Sequence, residues 1–198
     1  DLIVVGAKEK PVATNIRAVL LPKPLDEIRD PRDKFSSVDS VSAAAGVKIA
    51  APNLEEVLAG APVYAVPSEA QLEEYLNMVS EEVEQIKIAT DIDGLVLKTD
   101  ALGSLEAIAE SLKRNDVQIK MADVGDVSRR DVTEAAIVKE REPLHGVILA
   151  FNVKVLPDAE EEAKNRNIPI FNHKTIYSLI DDYLQWRNEE EETRLEKE

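Results

Sequence analysis

The stretch GLVLKTDALGSLEA, Gly94 to Ala107, decides the fold. An apolar run carrying β-branched Val96 stops at Lys98-Thr99-Asp100. After Ala101-Leu102-Gly103-Ser104 the apolar residues recur at Leu105, Ile108, Ala109 and Leu112. A continuous apolar run gives way to helical spacing, so the sequence predicts a strand, a tight turn and a helix start. Loops of this kind hold phosphates in many nucleotide enzymes, which makes the glycines the first test. They stand at 6, 46, 60, 94, 103, 125 and 146. Neither the dinucleotide fingerprint nor the P-loop can be written with that spacing, and Gly103 reads instead as a turn residue where the helix packs close to the strand.

Downstream the same alternation repeats. Strands are expected at Gly94 to Thr99, Val117 to Ala122, Gly146 to Phe151 and Ile168 to Phe171. Helices are expected at Ser104 to Arg114, Asp131 to Lys139, Ala159 to Arg166 and from Lys174 onward. Short apolar strands separated by single helices predict a four-stranded parallel sheet covered on both faces, an α/β/α sandwich over 93–173. The last helix changes character along its length. Ile176, Leu179, Ile180, Tyr183, Leu184 and Trp186 make an apolar stripe, whereas Arg187 to Glu198 offers only Leu195. That second half, 174–198 being one helix, is expected to project into solvent with pairs such as Glu190 and Arg194.

Upstream the pattern is β-rich. Leu2 to Val5, Val12 to Leu21, Val38 to Ala44, Gly46 to Ala51 and Pro62 to Val66 read as strands. Pro22, Pro24 and Pro31 should hold Lys23 to Ser37 out of regular structure, and Asn53 to Gly60 reads as one capped helical turn. Residues 1–66 thus predict part of a β-barrel. A capping box at Ser68 and Gln71 then opens a helix with Leu72, Tyr75, Leu76, Val79, Val83 and Ile86 inward, and 67–92 is expected to link the two portions. The strand at Asp1 has no initiator Met before it, so the chain reads as a fragment.

Composition narrows the chemistry. The 198 residues contain no cysteine and two histidines, which leaves little from which to build a zinc site. Neither a signal-peptide pattern nor a run of membrane-spanning length occurs, and the expectation is a cytoplasmic protein. Net charge is −15, but Asn53 to Ile86 and Asp181 to Glu198 together carry −13 of it. Asp1 to Phe35 holds seven bases against six acids, with Lys23, Arg29, Arg32 and Lys34 crowded into one loop where contact with a phosphate backbone is possible. The acidic face of the linking helix reads as a solvated surface.

Asp100 and Asp123 are placed just beyond neighbouring strands, at the edge where open α/β sheets put their sites, with Lys154 after the third. Two carboxylates and a lysine could hold magnesium and an acyl phosphate, as in receiver domains. Receivers, however, use an adjacent acidic pair and five strands, so the turn-and-cap reading of Asp100 and Asp123 is preferred. His145 and His173 have no Ser, Asp or Glu at a telling distance and read as structural.

Four ordered blocks carry a resemblance. They are Lys98-Thr99-Asp100-Ala101-Leu102-Gly103-Ser104-Leu105-Glu106-Ala107, then Val124-Gly125-Asp126-Val127-Ser128 with Asp131-Val132, then Ala150-Phe151-Asn152-Val153, and finally Thr175-Ile176-Tyr177-Ser178-Leu179-Ile180-Asp181. Together they resemble the third domain of the translation initiation GTPases, called initiation factor two in bacteria and initiation factor five B in archaea and eukaryotes. Lys23-Pro24-Leu25-Asp26-Glu27-Ile28-Arg29 and Ala43 to Pro52 are similar to the archaeal and eukaryotic branch of the preceding barrel domain. The resemblance implies a non-catalytic middle region of a GTPase whose nucleotide domain, with its GTP and magnesium, lies outside this sequence. It implies no cofactor in this stretch, and the ribosomal subunits and ribosomal RNA as partners. Initiator tRNA would be held by a later domain, and Lys174 to Glu198 would begin a long connecting helix. It further implies structural roles for Asp100, Gly103, Ser104, Gly125, Phe151, Asn152 and Tyr177, and ribosomal RNA contact by Lys23, Arg29, Arg32 and Lys34. The competing expectation is a small phosphate- or magnesium-binding enzyme domain using Asp100 and Asp123.

Overall fold

The computed structural model describes residues 1–24, 27, 30, 32, 34–42, 44–85 and 90–196. Two compact units divide at Gln85, spanning Asp1–Gln85 and Ile86–Glu198.

The first unit is built from short antiparallel strands. β1 (Leu2–Val5) lies between β2 (Val12–Asn15) and β6 (Val63–Val66) in one sheet. β3 (Ala18–Pro22) lies between β4 (Phe35–Val38) and β5 (Lys48–Ala50) in another. The continuous strand expected over Val12 to Leu21 is therefore two. Ile16 N–H donates to the Asp1 carbonyl at 2.9 Å and Arg17 N–H to the Ala50 carbonyl at 2.8 Å, so the chain changes sheets between them. The prolines do not keep Phe35 to Ser37 irregular, because β4 begins at Phe35 and pairs with β3. That pairing ends at Val38, opposite Val19, and the strand expected over Val38 to Ala44 does not continue through the described residues after it.

Asn53 to Gly60 forms turns instead of a helical turn. Asn53 sits at φ 59° and Gly60 at φ 83°. Lys8 N–H donates to the Glu56 carbonyl and Leu58 N–H to that of Gly6, so this segment bonds to the chain just beyond β1 and its backbone is unavailable to a helix. A 3₁₀ turn over Glu69–Gln71 leads into α1 (Leu72–Gln85). Ser68 makes no backbone cap there; its hydroxyl reaches the Gln71 side-chain oxygen at 3.4 Å. α1 packs Leu72, Tyr75, Leu76 and Val79 against Leu2, Val4, Tyr64 and Val66, forming the core of the unit. Ile86, expected on the same inward face, lies outside the described residues.

The second unit is a parallel sheet ordered β10-β9-β7-β8, with β7 at Leu95–Thr99, β8 at Ile119–Val124, β9 at Ile148–Phe151 and β10 at Ile170–His173. The helices are α2 (Leu102–Arg114), α3 (Arg129–Lys139), α4 (Pro157–Arg166) and α5 (Ile176–Leu195). β7 is buried on both faces, which is why its sequence is a near-continuous apolar run. Val96 and Ile148 face α3 and α4 through Val132, Ala135, Ala159 and Ala163. α2 and α5 cover the opposite face, bringing in Ile108, Leu112, Leu179 and Tyr183. Burying each of these larger side chains stabilises the unit by about 1.5–3 kcal/mol.

α5 is held by aromatic packing. Phe171 on β10 lies 6.0 Å from Tyr183 and 5.7 Å from Trp186, and the Tyr183 hydroxyl donates to the Leu144 carbonyl at 3.2 Å. From Asn188 to Glu196 every residue is exposed, Leu195 included. The expected Glu190–Arg194 pair is not formed; the side-chain pair on this stretch joins Gln185 to Glu189 at 2.9 Å. Among the described residues, no helix is long and apolar enough to cross a membrane.

Candidate functional site

The order of strands in the second unit selects one place for a ligand. β8 lies to one side of β7 and β9 to the other, so the crevice of an open α/β sheet should lie between the loops that follow β7 and β9. Asp100 and Asn152 occupy those loops, and Asn152 Nδ2 donates to Asp100 Oδ2 at 2.6 Å. Asn152 takes a left-handed backbone, φ 52°, which suits asparagine better than most residues. Burial opposes the charge on Asp100, yet hydrogen bonding by Asn152, with Ser104 and the N–H groups of Asp100 and Ala101, outweighs it and holds the carboxyl below its ordinary value. Oδ1 is buried without a well-formed hydrogen bond among the described residues, so Ser104 supports the charge less than Asn152 does.

Neighbouring loops are tied in the same way. Gly125, at φ 126° after β8, donates its N–H to the Thr99 carbonyl at 2.9 Å. Lys154 N–H donates to Asp126 Oδ1 at 2.9 Å, and Asn172 Nδ2 to the Val153 carbonyl at 3.1 Å. Phe151, the last residue of β9, is half-buried between Thr99 and His173 of the flanking strands. The carboxyl edge is thus closed by its own side chains and amides.

Three expectations change at this edge. Gly103 lies inside α2 and is exposed, and a Cβ there would meet nothing within 4 Å, so it is not a close-packing turn residue. The tight approach belongs to Gly94, where a Cβ would collide with the Ile119 and Lys120 backbone. Asp123 lies within β8, not beyond it: its Oδ1 accepts from Val124 N–H at 2.8 Å and its Oδ2 faces Lys98 Nζ at 3.3 Å. Nor is Asp100 a helix cap, since Ala101 holds that position and has no side-chain cap. Asp100 and Asp123 are committed to different partners.

Lys98 is the residue that pattern reading passed over. It is 5% exposed on the central strand, with Asp123 at 3.3 Å and Asp131 Oδ2 at 3.6 Å. Asp131 is itself buried and accepts from both the N–H and the hydroxyl of Ser128, closing the capping box of α3. The available signal was a lysine inside a strand otherwise buried on both faces, which requires a carboxylate partner. The two histidines are occupied: His145 Nδ1 donates to the Asp93 carbonyl at 2.8 Å, and His173 Nε2 lies 2.7 Å from Asp182. Among the described residues no group of three His, Asp or Glu is placed to hold a metal ion.

In the first unit, Lys23 N–H donates to the Lys34 carbonyl at 2.9 Å, which brings those two positions opposite each other beyond the ends of β3 and β4. Arg32 and Lys34 are exposed, and Arg29 lies outside the described residues. Strand register puts Pro22, Phe35, Ser37 and Lys48 on one face of the same sheet. Phe35 is 40% exposed, and Lys48 Nζ sits 5.2 Å from its ring centroid. The structure therefore adds an aromatic ring and a further base to the basic loop.

Tyr177, the last of the family-motif positions, stands on the first turn of α5 and is 84% exposed.

The elements define a class: an antiparallel β unit followed by a doubly wound α/β unit that ends in a long, half-exposed helix. The family model described as translation-initiation factor 2 matches residues 68–184. A probable translation initiation factor IF-2 of Staphylothermus marinus is 53% identical over 186 residues, covering 94% of this chain and 31% of that protein. The corresponding Pyrococcus abyssi protein is 55% identical over 194 residues, 98% of this chain and 20% of its own length. The crystal structure of GDP-bound aIF5B from Aeropyrum pernix matches all of this chain and 33% of that one, at 48% identity and a TM-score of 0.78. The chain belongs to the translation initiation factor IF-2 family, and it spans about a fifth to a third of the length of these relatives.

Proposed function

We propose that this chain is a non-catalytic middle region of an initiation factor GTPase and acts as a mechanical relay. Residues 1–66 correspond to later strands of a translation-factor barrel, 67–92 to a linking helix, 93–173 to the sandwich and 174–198 to the start of a long connecting helix. Its partners are the GTPase domain of the same polypeptide, the ribosomal subunits with their RNA, and initiator tRNA through a later domain, all in the cytoplasm. GTP and magnesium belong to the parent factor. The role is to hold the geometry between the nucleotide end and the tRNA end while subunits join.

The observation that carries this is the sheet edge. Asp100 and Asn152 bond to each other at the place where such sheets bind ligands, while α5, a 20-residue helix about 30 Å long, packs its first half on the unit and leaves Asn188 to Glu196 exposed. A closed edge and a projecting rod suit transmission better than chemistry. Isothermal titration of the purified chain with GTP is expected to give no heat of binding, and micromolar affinity or hydrolysis would overturn the proposal.

Ribosome contact is assigned to the basic sheet of the first unit. Arg32, Lys34 and Lys48 supply charge for phosphate, Phe35 supplies a stacking surface, and Lys23 joins them; Arg29 is assigned to the same contact from the sequence alone. Reversing Lys34 and Lys48 to glutamate should weaken small-subunit binding roughly tenfold at moderate salt. Unchanged binding would remove the assignment.

A further inference from the structure

α5 is held to its unit by the burial of Leu179, Ile180 and Tyr183. Apolar burial is non-directional, whereas a hydrogen bond fixes position along and around the helix axis. Among the described residues, two polar side-chain bonds join α5 to other elements. Asp182 lies 2.7 Å from His173 Nε2, on the strand that leads directly into the helix, so this bond is local. The Tyr183 hydroxyl instead donates to the Leu144 carbonyl at 3.2 Å, 39 positions away in the turn between α3 and β9.

The segment through which the chain enters β7, residues 91–94, meets the same turn. His145 Nδ1 donates to the Asp93 carbonyl at 2.8 Å, and Arg141 Nε lies 3.2 Å from the Asp93 carboxylate. The Asp91 N–H bonds elsewhere, to the Ile119 carbonyl at 2.8 Å, which ties the entry to β8 and leads away from α5. Leu144 and His145 are adjacent, so neighbouring residues hold the start of the unit and the helix that ends it. The turn between them has little slack. The Val138 carbonyl accepts from the N–H groups of Arg141 at 2.9 Å and Glu142 at 2.7 Å, and His145 N–H donates to the Glu142 carbonyl at 3.0 Å. Pro143 restricts the backbone between these bonds, and a Cβ on Gly146 would meet Lys139 Cβ at 2.3 Å. A segment packed this closely against the end of α3 passes on a displacement instead of absorbing it.

We propose that the turn over residues 140–146 couples the entry of the unit to the rod, with His145, Arg141 and Tyr183 as its positioning residues. A displacement at Asp93 reaches α5 through the His145 bond on one side and the Leu144 bond on the other. The inference rests on the relay role proposed above and names the place through which the relay runs. Contiguous bonds define a path, and the coupling between its two ends is the quantity that decides whether the path is used.

The test is a double-mutant cycle in a full-length factor carrying this sequence, with subunit joining followed by light scattering. His145→Phe and Tyr183→Phe each keep a ring and remove one donor. Each should slow joining roughly threefold to fivefold while GTP binding and small-subunit binding persist. Because the two bonds act in series, the double variant should be no slower than the slower single variant; a loss equal to the product of the two would overturn the coupling. Asp182→Asn, which breaks the other polar bond of α5, should leave joining unaltered, and an equal slowing there would show that any loosening of the helix suffices. If His145→Phe does not fold, Arg141→Gln, made on an exposed side chain, removes the other hold on Asp93 and takes its place in the cycle. If none of these variants slows joining while a flexible insertion after Arg187 does, the turn is refuted and the relay stands. If the insertion also leaves joining unaltered, both fall.

Discussion

The Asn152 amide and the Asp100 carboxylate join two loops that a ligand-binding sheet would keep apart. Replacing Asn152 with glycine removes the amide while keeping a left-handed backbone accessible, so the loss isolates the hydrogen bond. The expected cost is about 1 kcal/mol, and the Asp100 carboxyl should titrate closer to its ordinary value in a carbon-detected NMR experiment. Because the folded value is depressed, the stabilisation is present above the unfolded value near 3.9 and disappears as pH falls through the folded one. Wild type and variant should therefore converge in stability in acid; a constant gap would show that the bond does not set the titration. Tyr183 works in the opposite direction. Burial pushes its hydroxyl up to about 12, against the pull of Arg187, so the unfolded chain releases the proton first. Stability should fall by on the order of 2 kcal/mol between about pH 10 and pH 12, and Tyr183→Phe should abolish that component in urea titrations. Asp100 was legible in the sequence as an edge residue, but its partner lies 52 positions away and no local pattern names it. Lys98 was hidden for the same reason, its two carboxylates arriving from β8 and α3.

Elements were legible where periodicity and burial agree. α2 shows its inward face at Leu105, Ile108, Ala109 and Leu112, and the parallel strands declare themselves as apolar runs because helices cover both sides. The β unit was harder. Its strands are three to five residues long, and the boundary between β2 and β3 is set by bonds to Asp1 and Ala50, which composition does not reveal. Gly103 was misread because a turn was expected where the helix had already begun. That correction has an outcome to check. Gly103→Ala should stabilise the chain by about 0.5–1 kcal/mol, since it replaces glycine at an open helical position. Gly94→Ala should destabilise it by about 1–3 kcal/mol or more, as its Cβ would press on the β8 backbone. Denaturant midpoints of the two variants decide it, and equal effects would contradict the packing described.

At the scale of the molecule, the two units differ in what they expose. The first presents a basic, partly aromatic sheet, and the second a closed edge and a rod. The resemblance carried by the four sequence blocks and the observed family agree, and both the parallel sheet and the antiparallel strands follow from patterning. The reach of α5 depended on where its apolar stripe ends, and that end is visible at Arg187. Deleting the residues after Arg187 should leave the melting temperature within about 2 °C, because Asn188 to Glu196 bury nothing; a large drop would mean that the rod is part of the core. The central proposal is that this rod transmits position. Its most direct test is a flexible Gly-Ser insertion after Arg187 in a full-length factor carrying this sequence, with the rate of ribosomal subunit joining followed by light scattering. The account predicts that GTP binding and small-subunit binding persist while joining slows by roughly an order of magnitude, the equivalent of about 1.4 kcal/mol on the barrier. Joining at an unaltered rate would contradict it.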